Sequence, residues 1–127
     1  MSDILRVYGI SNCDTVKRAR AWLDSHHIAF QFHDFKKAGL DAAQLERWLT
    51  EADWQVLLNR AGATWRKLPE ARRLKIGSSA AAATLMLEQP SIIKRPVMEI
   101  RPADAPAGLK LLVGFDPERY RTQLLDK

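Results

Sequence analysis

The chain's only cysteine, Cys13, lies in YGISNCDTVKRARAWL, residues 8–23, where a strand-like run gives way to helical spacing. The thiolate, not the thiol, is the nucleophile, and a cysteine at a helix N-terminus meets unpaired backbone N–H groups and the positive end of the macrodipole. That address favours the charged form. Thr15 offers a hydroxyl donor near the sulfur, Lys17 and Arg20 add positive charge along the same helix, and Asn12 stands beside the thiol in the preceding turn. Position alone leaves two readings open: a reactive nucleophile, or a small buried residue packing as a hydrophobe.

Two other segments bear on the choice. In PSIIKRPVMEI, residues 90–100, Pro96 sits directly before a predicted strand, where it has no N–H to give to a ladder. An X-Pro bond at a strand start is a candidate cis peptide, which turns the chain sharply and can bring backbone beside a thiol. Arg95 then offers a planar, permanently charged fork to an oxyanion or carboxylate. Arg60, in LLNRAGATWRKL, residues 57–68, falls at a helix end before a glycine turn and can point into a cleft. Taken singly, either arginine reads first as an exposed surface charge.

The elements that must position these residues follow from periodicity. ILRVY, residues 4–8, reads as a buried strand, and Val16, Ala19, Trp22 and Leu23 mark an amphipathic helix over about 13–26, capped by Ser11 or Asn12. IAFQFHDF, residues 28–35, reads as a second strand, which makes a βαβ unit with parallel strands. From 41 to 89 the pattern is all-helical: Asp41 caps a helix with Leu45, Trp48 and Leu49, a short helix carries Trp54 to Leu58, Gly62 and Pro69 mark turns, and a last helix spans 79–88. PVMEI, residues 96–100, and LKLLVGF, residues 109–115, suit an antiparallel hairpin around the turn-rich 101–108. Asp116 then Pro117 begin a closing helix, N-cap followed by first helical position. This order outlines a single α/β domain: a thioredoxin-like (glutaredoxin-like) core at about 1–35 and 92–127, with a mixed four-stranded sheet, carrying an all-helical insertion at about 41–89.

Composition narrows the function classes. With 127 residues, 46% hydrophobic and 28% charged, the chain has the make-up of one globular domain. Its longest nearly apolar run, AAAATLML at 80–87, is far short of the roughly 20 residues that span a membrane. MSDILRVYG has neither a basic leader nor a long apolar stretch before a cleavage site, so the cytoplasm is the expectation. One cysteine excludes an intramolecular disulfide and a multi-cysteine zinc site, and His26, His27 and His33 have no ligand partners at suitable spacing, so no metal is expected. The net charge of +5 is spread along the chain without a helix-turn-helix, zinc or aromatic-basic motif, which argues against a nucleic-acid partner. Trp22, Trp48, Trp54 and Trp65 sit at or beside helical apolar positions and read as packing residues.

YGISNCDTVKRARAWL, LLNRAGATWRKL, MLEQPSIIKRPVM and GFDPERY, in that order and spanning nearly the whole chain, resemble the arsenate reductase ArsC/Spx family, most closely its YffB-like branch. The resemblance implies a thioredoxin-like fold with a helical insertion, Cys13 at the position of the catalytic cysteine, Arg60 and Arg95 at the positions of two oxyanion-binding arginines, and Pro96 at the cis-proline position. Two positions depart from the pattern. Val16 stands where Spx regulators often carry the second cysteine of a redox switch, and KLLVGFDP holds no arginine where the arsenate reductases have a third, before Arg119. The implied activity is a glutathione- or glutaredoxin-linked thiol-disulfide reductase acting on a mixed-disulfide or small anionic substrate, with glutathione as co-substrate and no bound cofactor, since the second sulfur must come from outside the chain. The alternatives are an Spx-like protein that binds the RNA polymerase α subunit without catalysis, and a true arsenate reductase.

Overall fold

A computed structural model describes residues 3–105 and 107–126. Residues 1, 2, 106 and 127 lie outside that description, and with them the first two positions of the N-terminal stretch and one position of the 101–108 loop. The chain forms two compact units, one containing the segments up to Asp34 and from Arg95 onward, the other Phe35–Lys94.

The first unit is built on a mixed sheet of four strands: β1 (Ile4–Gly9), β2 (Gln31–Asp34), β3 (Val97–Arg101) and β4 (Lys110–Val113), in the order β2-β1-β3-β4. β1 runs parallel to β2, with Gly9 opposite Asp34, and antiparallel to β3, with Tyr8 opposite Val97; β3 and β4 pair antiparallel. Helix α1 (Asp14–Ser25) is the crossover between the parallel strands. A helix over Pro117–Leu124 closes the unit, its cap Asp116 accepting from the N–H of Glu118 at 3.0 Å. This is the thioredoxin-like α/β fold expected. Alternation in β1 sends Leu5 and Val7 to the face where they join Ala19 and Leu23 of α1, Met98, Ile100, Leu112 and Tyr120 in one apolar core. The opposite face is polar in part: the Arg6 guanidinium donates to the Tyr8 hydroxyl at 3.3 Å, which donates to the buried Glu99 carboxylate at 3.4 Å.

The second unit is helical: α2 (Phe35–Ala38), α3 (Ala42–Glu51), α4 (Trp54–Leu57), α5 (Ala63–Arg66), α6 (Glu70–Arg73) and α7 (Ser79–Glu88), then a 3-10 turn at Pro90–Ile92; the closing helix of the first unit is α8. Asp41 and Ser78 cap α3 and α7 by accepting from the N–H groups of Ala43 and Ala81, at 3.0 and 3.2 Å. Leu45 and Trp48 of α3 and Ala82, Leu85 and Met86 of α7 are buried. Leu58 and Ile93 form an isolated antiparallel bridge, and the Lys94 N–H donates to the Leu57 carbonyl at 2.8 Å.

Candidate active site

The sequence between β1 and α1 is short and tightly held. Gly9 ends β1 because there is no room for more: a β-carbon there would lie 2.7 Å from Cγ2 of Val16, which is fully buried in the first turn of α1. The Ser11 N–H donates to the Asp34 carboxylate at 3.0 Å, so the end of β2 fixes the turn that delivers the cysteine. The Cys13 N–H donates to the Ile10 carbonyl at 3.1 Å, and the Cys13 carbonyl accepts from Lys17 at 2.9 Å as the helix begins.

Cys13 is itself the N-cap of α1, with extended backbone and a half-buried thiol. The expected cap at Ser11 or Asn12 is not the one used. The sulfur makes no capping hydrogen bond; a neutral sulfur is a weak acceptor. As a thiolate it is well served. Burial by itself would raise its pKa, but the N–H of Val16, the Arg95 side chain, the N–H of Thr15 and the Arg95 charge act together and hold it below the usual thiol value. Thr15 thus contributes its backbone amide rather than its hydroxyl.

Arg95 arrives from the other side of the same strand ends. The Arg95–Pro96 peptide is cis, as expected for that position, and Pro96 is buried. The Pro96 carbonyl accepts from the Gly114 N–H at 2.8 Å, and Gly114 sits at φ +80°, a conformation glycine adopts without cost. In α8, Arg119 donates to the Val113 carbonyl at 3.3 Å, at the end of β4 that pairs with Val97.

The remaining candidates are placed as follows. Asn12 and Lys17 are exposed. Arg20 lays its guanidinium 4.0 Å over the Phe32 ring rather than adding charge at the sulfur. Arg60 lies in the helical unit, exposed, its Cζ 5.3 Å from the Trp54 ring centre and 5.8 Å from that of Trp65. Trp48 is core as expected, whereas Trp54 and Trp65 are half-buried and flank this arginine. Sequence reasoning missed Gly9 and Asp34; the only signals available for them are the glycine closing a strand directly before the cysteine turn, and an acid at the next strand's end. Among the described residues no group of three or more His, Cys, Asp or Glu could hold a metal, and no helix is long and apolar enough to cross a membrane.

The strand, turn, half-buried cysteine and cis-proline lie at one end of the sheet, and residues 8–123 fit the model of the ArsC family. The chain belongs to the ArsC family. Within this family its relatives differ in what they are called. A solved YffB protein is 49% identical, with 94% of this chain and 98% of that one aligned at a TM-score of 0.83. The solution structure of an arsenate reductase (ArsC) related protein from Brucella melitensis is 48% identical over 96% of this chain and 95% of that one, with a TM-score of 0.71. An uncharacterised protein of Haemophilus influenzae shares 38% identity over 118 residues, 93% of this chain and 96% of that one. The global transcriptional regulator Spx of Streptococcus agalactiae shares 25% over 115 residues, 89% of this chain and 77% of the regulator. The chain is thus similar both to an arsenate reductase related protein and to a transcriptional regulator.

Proposed function

We propose that this ArsC-family chain is a glutathione- or glutaredoxin-linked thiol-disulfide reductase, working in the reducing cytoplasm. One observation carries the reading: the Cys13 sulfur at the start of α1 is favoured as a thiolate by two backbone amides and by Arg95. In the first step the Cys13 thiolate attacks the glutathionyl sulfur of a mixed disulfide; the old S–S bond breaks, and the departing thiolate takes a proton from solvent. In the second, a glutathione thiolate attacks that sulfur in the Cys13 adduct, releasing glutathione disulfide and regenerating the Cys13 thiolate. The substrate thiol is reduced, and two glutathionyl units leave as the disulfide. A depressed pKa serves both steps, because the thiolate is populated at neutral pH and is a good leaving group in the second.

Arg95 orients the anionic substrate at the sulfur, Arg60 binds an anion in the helical unit, Pro96 shapes the backbone beside the thiol, and Asn12, Thr15 and Lys17 support the turn and first helical residues. Val16 in the position of a second cysteine makes an external thiol necessary. The test is turnover of a glutathione mixed disulfide by the wild type and by Cys13→Ser: activity present in the first and lost in the second supports the reading, and equal rates end it. Arsenate added in place of the disulfide distinguishes a true arsenate reductase.

The similarity to Spx regulators favours a second reading, a protein that binds RNA polymerase through its α subunit without turnover. A pull-down retaining the α subunit, equally with the wild type and Cys13→Ser, would support it over catalysis.

A further inference from the structure

We propose that the cavity between Arg60 and Arg73 in the helical unit binds an organic carboxylate, such as that of a short peptide, with the ligand's apolar part against Trp65. The cavity has a volume of about 440 Å³ and is lined by Arg60, Trp65, Glu70, Arg73, Leu74 and Ile76. That is in the size range of small-molecule sites, roughly 300–1,000 Å³. Two guanidinium groups against one carboxylate leave its wall with an excess positive charge. Among the described residues neither arginine is paired with Glu70. Arg72, the neighbour of Arg73, is engaged with Glu88.

Both arginines border the cavity. The Arg60 Cζ lies 5.3 Å from the Trp54 ring centre and 5.8 Å from that of Trp65, and a guanidinium held by cation–π contact keeps N–H groups for a fork-like contact with a carboxylate. Arg73 ends α6, and its Nε is buried with no hydrogen-bond partner among the described residues. Arg73 lines the cavity with Arg60, so an anion there meets the charge of both. The rest of the wall is apolar: Trp65 and Ile76 are half-buried, and Leu74 is 77% exposed, the most exposed large hydrophobic residue among those described. A bare oxyanion would engage the guanidinium groups but leave this surface wet and most of the volume to water. A carboxylate joined to an apolar or peptide body covers both.

This deepens the reading of Arg60 as an anion-binding residue and rests on it, without requiring any chemistry at Cys13. The probe is S-methylglutathione, which has carboxylates but no free thiol, titrated by calorimetry into the full chain carrying Cys13→Ser. We expect saturable binding that Arg73→Gln weakens about tenfold or more, the size of losing a charge-assisted contact. Arg73→Lys, which keeps the charge and loses the fork, should be folded and still weakened. No saturable binding, or unchanged affinity in both Arg73 variants, overturns the proposal. So does inorganic phosphate binding as tightly as the peptide, or loss of binding in Arg95→Gln but not in Arg73→Gln. Because turnover is not read here, a failed reductase assay with intact binding removes the activity and leaves the site, while turnover without binding removes the site alone.

Discussion

Gly9 and Val16 are in such close contact that a single β-carbon on the glycine would sit 2.7 Å from Cγ2 of the valine. The end of β1 and the first turn of α1 are therefore one packed joint, and the cysteine is hung from it. Gly9→Ala should cost about 1–3 kcal/mol, as overpacking in a tight core does, and should slow Cys13 alkylation in the folded protein. Val16→Ala in the same chain clears the space. Chemical denaturation of both singles and the double should show the double more stable than the sum of the singles predicts; strict additivity would show that the two side chains do not compete.

Cys13 should be alkylated by iodoacetamide with a midpoint below the ordinary thiol value of about 8.5, since two amides and Arg95 outweigh the effect of burial. Arg95→Ala removes a hydrogen bond and a positive charge from the thiolate, so its midpoint should move upward while staying reactive at high pH. The sign carries to stability: a folded-state pKa below the unfolded one makes the ionised cysteine stabilising above the unfolded value, and that contribution disappears as the pH falls through the folded one. A wild-type midpoint at or above 8.5 would remove the nucleophile assignment.

Asp34 should matter to the thiol without touching it. Its carboxylate accepts from the Ser11 N–H, and hydrogen bonds to a charged group are worth about 1.5–3 kcal/mol. Asp34→Ala should destabilise by about that amount and lower the alkylation rate at fixed thiolate fraction, and Asp34→Asn, which keeps an acceptor oxygen, should recover part of both. Stopped-flow alkylation across pH separates a change in pKa from a change in intrinsic rate.

Tyr120 lies in the core of the first unit with its ring edge-on to Trp22 and Phe115, and its hydroxyl has no hydrogen-bond partner among the described residues. Burial pushes its phenol pKa well up, with the charge of Arg119 opposing. The ring supplies the packing and the hydroxyl only a desolvation cost, so Tyr120→Phe should keep or raise stability, by up to about 1 kcal/mol. A thermal melt showing a clear loss would mean that the hydroxyl is satisfied in solution.

Much of this is legible in the sequence. The strand at Ile4–Gly9, the helix at Ser79–Glu88 and the Asp116–Pro117 helix start follow from periodicity and capping chemistry, and the cis bond at Pro96 from its place before a strand. The short helices α2, α5 and α6 are not, because their four residues carry almost no periodic signal, whereas the equally short α4 is marked by Trp54, Val56, Leu57 and Leu58. Side-chain direction was also out of reach. Arg20 shares a helix with Cys13, yet it turns to Phe32 of β2, and only the strand register reveals that ring. Asp34 needed the same register, Gly9 opposite Asp34, before its carboxylate could be matched to the cysteine turn. The cap of α1 differs from the expectation: oxygen-bearing side chains are the usual caps, and Ser11 and Asn12 are at hand, but the N-cap position falls on Cys13, whose side chain makes no cap bond.

That substitution of sulfur for oxygen links electrostatics to backbone motion. The other helices of eight or more residues, α3, α7 and α8, start with an Asp or Ser oxygen that accepts an N–H whatever the pH. α1 starts with a sulfur that makes no capping hydrogen bond and whose charged form is favoured by the amides of Val16 and Thr15. Protonation, alkylation or any covalent capping of Cys13 removes the charge that those amides favour. Hydrogen exchange at Thr15 and Val16 should therefore follow the thiol's charge, slower when it is ionised than when it is neutral.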